Sequence, residues 1–167
     1  GDTGAMTGHA LPQVADALYH QASRGITTML PNADAAWVGG ELARRFGLPV
    51  WQMAMTATDA NRFVLRFARF LTGRSKVLVF DWCYHGSVDE TLVTLDERGL
   101  AVPRQGNIGP QVHPEQTTVV VPFNDIPALE AALATGEIAC VLAEPALTPE
   151  AVTVLDALID AATRRVT

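Results

Sequence analysis

The chain has 167 residues, 49% of them apolar, with 12 basic and 18 acidic side chains and a net charge of −6. That apolar share excludes a disordered chain, and the acidic balance argues against a general nucleic-acid or membrane-surface binder, either of which needs a positive field. The sequence reads as carrying neither a signal peptide nor an apolar run long enough to span a bilayer. One count stands out: there is a single lysine, Lys76.

The first helical pattern starts at Pro12, a residue suited to a first turn, with Val14, Leu18 and Ala22 on one face and Gly25 as its stop. ITTMLPN (26–32) reads as an extended loop. A second helix follows Asn32 or Asp34, has Ala35, Val38, Leu42 and Phe46 as its inward face, and ends before Gly47. VWQMAM (50–55) then reads as a short strand, and residues 59–71 as a helix so apolar that it should be mostly buried, with Arg62, Arg66 and Arg69 as a solvated or ion-paired stripe. KVLVFD (76–81) is a strand, YHGSVDETLV (84–93) contains a short helix, and residues 99–115 form a long loop. TTVVVP (117–122) is a strand, and Asp125 caps a helix burying Ile126, Leu129 and Leu133. IACVLAE (138–144) is another strand, and a last helix begins near Pro149.

Strands apolar on both faces and separated by helices imply an α/β fold of three layers, a mostly parallel sheet with helices on both faces. Cys83 and Cys140 lie far apart without CxxC spacing, which reads as free thiols in a reducing cytoplasm. His9, His20, His85 and His113 show no ligand spacing, so no metal site is expected.

In such sheets ligands collect beyond the carboxyl ends of the strands. Thr56, Ala57 and Thr58 fall at that edge, directly before a helix. Two readings apply there. Thr58 is a good N-cap and Asp59 suits a first turn; alternatively, small side chains and unpaired first-turn amides make an anion site. The next strand delivers Tyr84, His85 and Gly86 to the same edge, and a later one delivers Glu144. An aromatic ring in that position can stack on a flat ligand. The plainer reading is a half-buried Tyr84, a loop histidine at His85 and an acidic strand end at Glu144.

Taken in order, GDTGAMTGH, TTMLP, FGLPVWQMAMTATDANRFVLRFAR, TGRSKVLVFDWCYHGSVDETL and ACVLAEPALT resemble the class III pyridoxal-phosphate enzymes of fold type I. Within them the resemblance is to the glutamate-1-semialdehyde aminomutase-like branch, and it covers residues 1–148. It implies a pyridoxal 5'-phosphate cofactor, with Thr56, Ala57 and Thr58 at the phosphate cup, Tyr84 stacked on the pyridine ring, His85 beside it in the CYHG motif, and Glu144 near the cofactor's edge. Ala57 stands where the family commonly has glycine, which requires a φ below zero there.

The resemblance further implies amino transfer, a small amino acid or amine as substrate, and a homodimer. It also requires a Schiff-base lysine and an aspartate on the pyridine nitrogen, and neither has a match here. Lys76 starts its strand and so projects from the opposite edge. After residue 148 the family's asparagine-containing loop has no counterpart. The expectation is therefore one incomplete cofactor-binding large domain over residues 1–167, with 1–32 as N-terminal helix and loops and 33–167 as βα units, inactive alone. A non-catalytic remnant or phosphate-binding module remains the alternative, and an aminomutase a second one. A nucleotide-binding domain lacks its GxxxxGK[ST] or GxGxxG spacing.

Overall fold

The computed structural model describes residue 5 and residues 7–110 and 113–144. The expected helix near Pro149 lies outside them. The chain divides into two compact units, Gly1–Met53 and Ala54–Thr167, taken here in turn.

In the first unit α1 spans Pro12–Arg24 and α2 spans Ala33–Phe46. Asn32 caps α2 by accepting the Ala35 amide on its side-chain oxygen at 2.9 Å, and Gly47 ends it in the left-handed region at φ 71°. The expected inward faces do not find cover: no residue of α1 or α2 is buried, and Val14, Leu18 and Phe46 are all exposed. An amphipathic stripe predicts which side of a helix wants burial, not whether these residues supply the partner. Residues 50–55 are not a strand either, because no second backbone among the described residues pairs with them.

The second unit is built on β1, Lys76–Phe80, which lies between β4 (Thr118–Val121) and β5 (Ile138–Leu142), all parallel. Val77, Leu78, Val79 and Phe80 are buried. Alternation along the strand sends them to opposite faces. Leu78 and Phe80 pack with Leu129 of α5 (Ile126–Ala134), whereas Val77 packs with Leu65 of α3 (Ala57–Thr72). The sheet thus has a helix on each side, the α/β layering expected. Asp125 caps α5 as expected, accepting the Ala128 amide at 3.0 Å.

Three features depart from expectation. The loop at 99–115 contains β3 (Ala101–Pro103), which pairs antiparallel with β2 (Val93–Leu95), and the one-turn helix α4 (Pro114–Thr117). The short helix expected in 84–93 is a single 3-10 turn, Asp89–Thr91. Helix α3 is not mostly buried: only Leu65 is, while Phe67 and Phe70 are exposed, because the sheet covers one side of the helix and nothing described covers the rest. The arginine stripe divides. All three line an open cleft of about 570 Å³, but Arg69 is also ion-paired to Glu90 at 2.9 Å and bonds the Ser75 carbonyl. Among the described residues no helix is long and apolar enough to cross a membrane.

Leu78 is fully buried at the centre of this sheet. Leu78→Ala is expected to lower stability by about 2–5 kcal/mol, read as a shift of the urea unfolding midpoint.

Candidate functional site

Helix α3 starts two residues earlier than the sequence suggested. Thr56, not Thr58, is its N-cap: the Thr56 hydroxyl accepts the Asp59 amide at 3.1 Å and donates to the Asp59 carboxylate at 2.8 Å. Both threonines have the chemistry for a cap, so the choice depends on where the chain enters the helix. The shift frees Thr58. Ala57 and Thr58 become the first two helical residues, whose amides never have an intrahelical acceptor, and they meet no other acceptor among the described residues. Ala57 has no positive φ, so alanine stands there without strain.

The Thr58 hydroxyl accepts the Ser87 amide at 3.1 Å, which ties the start of α3 to the loop following β1. It still has its own proton to donate. The two segments touch at Gly86, φ 80°, where an added Cβ would collide with Thr58 Oγ1 and lie 3.0 Å from the Thr58 Cα. Asn61, one turn further along α3, donates to the His85 carbonyl at 3.0 Å and fixes the same loop from below.

Tyr84 and Glu144 are joined across the sheet edge. The Tyr84 amide donates to Glu144 Oε1 at 2.7 Å, while Tyr84 as a residue is 59% exposed. All six residues singled out in the sequence therefore lie in one unit, and four are linked by bonded neighbours: Thr58 through Ser87, Tyr84 through Glu144, and His85 through Asn61. His85 lies in the loop, as the plainer reading has it, but it is buried there rather than solvated. It is only 6% exposed, and its Nε2 has no hydrogen-bond partner among the described residues. Burial pushes its pKa below the ordinary imidazole value, against the opposing pull of the Glu144 charge. His85 is therefore neutral at pH 7, with a buried polar nitrogen to satisfy.

Burial first, and then the negative Glu144, push the Cys83 thiol up, so it is a packed and protonated side chain rather than a nucleophile. Lys76 sits at the start of β1, the end away from Tyr84, and pairs with Glu137 at 2.8 Å. Asn61, Ser87 and Trp82 were not marked by the sequence, and Arg104 reads there as mere surface charge. Asn61 and Ser87 are ordinary polar residues in sequence. Trp82 and Arg104 meet only because the unforeseen hairpin brings Arg104 back to the end of β1, with its guanidinium 5.3 Å from the Trp82 ring centre.

A helix start with two unspent amides, facing a loop at the carboxyl end of a parallel strand, belongs to the α/β proteins that bind anionic ligands at a sheet edge. The Aminotransferase class-III family matches residues 3–156, and this chain belongs to that family. The glutamate-1-semialdehyde 2,1-aminomutase of Opitutus terrae is 34% identical over 144 residues, which are 84% of this chain and 34% of that protein. A glutamate-1-semialdehyde-aminomutase from Pseudomonas aeruginosa superimposes with a TM-score of 0.91 at 55% identity, over 98% of this chain and 37% of that one. A lysine-to-alanine variant of the Pseudomonas enzyme was solved in complex with PMP, and it matches with a TM-score of 0.87. An omega-transaminase from Sphaerobacter thermophilus matches with a TM-score of 0.73 at 29% identity, over 92% of this chain and 39% of that one. The chain thus spans about a third of the length of the relatives it matches.

Two outcomes test this geometry. Gly86→Ala places a side chain both in a left-handed backbone and against Thr58, so it should lower the thermal midpoint by several degrees, whereas Gly99→Ala, with open space around it, should cost less. His85 binds its proton less readily folded than unfolded, so its contribution to stability is present above about pH 6.5 and is lost as pH falls from there toward the lowered folded value. Urea midpoints measured between about pH 7 and pH 5 should decline less steeply in His85→Gln than in the parent.

Proposed function

We propose that the protein is a pyridoxal-phosphate-dependent aminotransferase that moves an amino group between an amino acid or amine and a keto acid or aldehyde. The observation carrying this is the opened first turn of α3, set against the Tyr84–Gly86 loop and Glu144 in a chain of the class-III family.

The residues present suit the cofactor. The amides of Ala57 and Thr58 and the Thr58 hydroxyl proton are the donors that would take the phosphate, favoured by the positive end of the α3 dipole. Thr56 shapes that turn from behind, with its hydroxyl committed to Asp59. Gly86 removes the side chain that would push Thr58 out of the cup. Tyr84 presents the ring that would stack, and the bond from its amide to Glu144 fixes the backbone carrying that ring. His85 keeps a neutral, unpartnered Nε2 in the same loop, where a ligand's polar edge would satisfy it. When bound, the cofactor supplies the aldehyde that takes up the amino group and the ring that draws electrons from it.

Lys76 does not serve this chemistry. It is engaged with Glu137 at the far end of β1, and it is the only lysine in the chain. The reactive lysine is then a residue outside these 167, and the 167 residues alone carry no transaminase activity. The family match crosses both units, which supports reading residues 1–167 as an incomplete cofactor-binding domain. A cytoplasmic homodimer is part of the same reading, and the free thiols of Cys83 and Cys140 support the reducing compartment. A second reading, an aminomutase that returns the amino group to the same carbon skeleton, is favoured by the names of the relatives above.

The test is a peptide map of the full-length protein after incubation with pyridoxal phosphate and reduction with borohydride. One phosphopyridoxyl group on a lysine outside residues 1–167 is expected. An adduct on Lys76, or no specific adduct, overturns the reading, and amino transfer by the 167-residue chain alone overturns the assignment of its inactivity.

A further inference from the structure

At the end of β1 the chain makes a turn closed by the Cys83 amide on the Phe80 carbonyl at 3.2 Å. Trp82 occupies it at φ 63°. That left-handed conformation favours glycine, and a bulky residue there is strained. Trp82 gains no core packing in return, since the residue is 70% exposed. A strained position that presents an exposed indole two residues before Tyr84 points to a use at the surface of the site.

Arg104 accounts for the geometry of the turn. It follows directly on β3, its amide donates to the Leu92 carbonyl at 2.9 Å, and its guanidinium lies over the Trp82 ring. Two of its N–H groups donate to the carbonyls of Cys83 at 3.3 Å and Trp82 at 3.1 Å. A guanidinium has five donors, so three remain. Arg104 has no carboxylate partner among the described residues, unlike Arg44, Arg45 and Arg69. Other arginines do not offer the same chance. The cleft along Arg62 and Arg66 is also lined by Asp59, Asp89 and Glu90, so its charge is already balanced from within.

We propose that Trp82 and Arg104 together recognise the substrate at the site assigned above: the guanidinium takes a carboxylate, and the indole takes a flat apolar side chain. The substrate class is then an amino acid with an aromatic or extended apolar group, rather than a small polar one. A planar guanidinium with unspent donors suits a carboxylate, and stacking on tryptophan leaves those in-plane donors free. The inference rests on the aminotransferase reading, because it needs a substrate at this sheet edge.

The experiment is titration calorimetry on the full-length holoenzyme with two unreactive probes, 3-phenylpropanoate and 3-phenylpropan-1-ol, which share the ring and differ in the carboxylate. Arg104→Ala should weaken the acid at least about tenfold and leave the alcohol within about twofold, with Arg104→Lys recovering part of the loss. Trp82→Leu should weaken both probes. Equal weakening of acid and alcohol by Arg104→Ala makes Arg104 a clamp on the turn and overturns the proposal, as does unchanged affinity for the acid or a parent protein that binds neither probe. The visible absorbance of bound pyridoxal phosphate, recorded on every sample, separates the two readings. Its presence with a failed probe pattern refutes only this inference, and its absence from the parent protein refutes the aminotransferase assignment itself.

Discussion

The second unit depends on the burial of one strand on both of its faces and along both of its edges. Val77 to Phe80 have essentially no solvent contact, because β4 and β5 take up the backbone hydrogen bonds and α3, α5 and the β2–β3 hairpin cover the side chains. A strand held from four directions cannot shift register without turning its apolar residues to the wrong layer. Its carboxyl end is therefore a fixed point. Trp82, Cys83, Tyr84 and His85 are the next residues of the same chain, so the position of the candidate site follows from the packing of β1.

From that fixed point the site is assembled by hydrogen bonds that reach to three other elements. Thr58 joins the start of α3 to Ser87, Glu144 joins the end of β5 to Tyr84, and Arg104 joins the hairpin to Trp82 and Cys83. Asp81 adds a further link to the hairpin, accepting the Thr94 hydroxyl at 2.7 Å and the Leu95 amide at 3.0 Å. The loop after β1 has little regular structure of its own, yet its backbone is held from α3, β5 and the β2–β3 hairpin. Preorganisation of this kind leaves polar groups for a ligand without letting the loop collapse on itself: two amides at α3, the His85 nitrogen and the Arg104 donors.

Much of this was readable before any coordinates. The caps at Gly47 and Asp125 follow from local chemistry, Asn32 was one of two residues open for the start of α2, and Val-rich segments between helices pointed to the parallel sheet. What failed has a common cause. The hairpin consists of two three-residue strands, too short to show alternation, and it forms because Asp96 organises the turn between them by accepting the Arg98 and Leu100 amides. Residues 50–55 have the composition of a strand, but composition cannot supply the neighbouring backbone that a strand requires. The exposed sides of α1, α2 and α3 are the same lesson for helices. In the candidate site, Tyr84 and Glu144 were legible as residue types following strands and Thr56 to Thr58 as residue types opening a helix, although the strand expected before them does not form; the left-handed turn at Trp82 was not legible, since nothing in FDWCY announces a positive φ. The burial of His85 was equally hidden, because it depends on α3 lying against the loop.

The order of the strands also governs how the unit comes together in time. β1 precedes both of its neighbours in the chain, with Val77 in register with Thr118 on one side and with Cys140 on the other. As the chain leaves the ribosome, the most deeply buried strand of the sheet emerges before either of its partners has been made. Parallel pairing across such separations is slow to form and leaves strand edges open meanwhile. The same segment that anchors the finished site is thus the one most exposed to aggregation during synthesis, and the nascent chain is where a chaperone would do most for this protein.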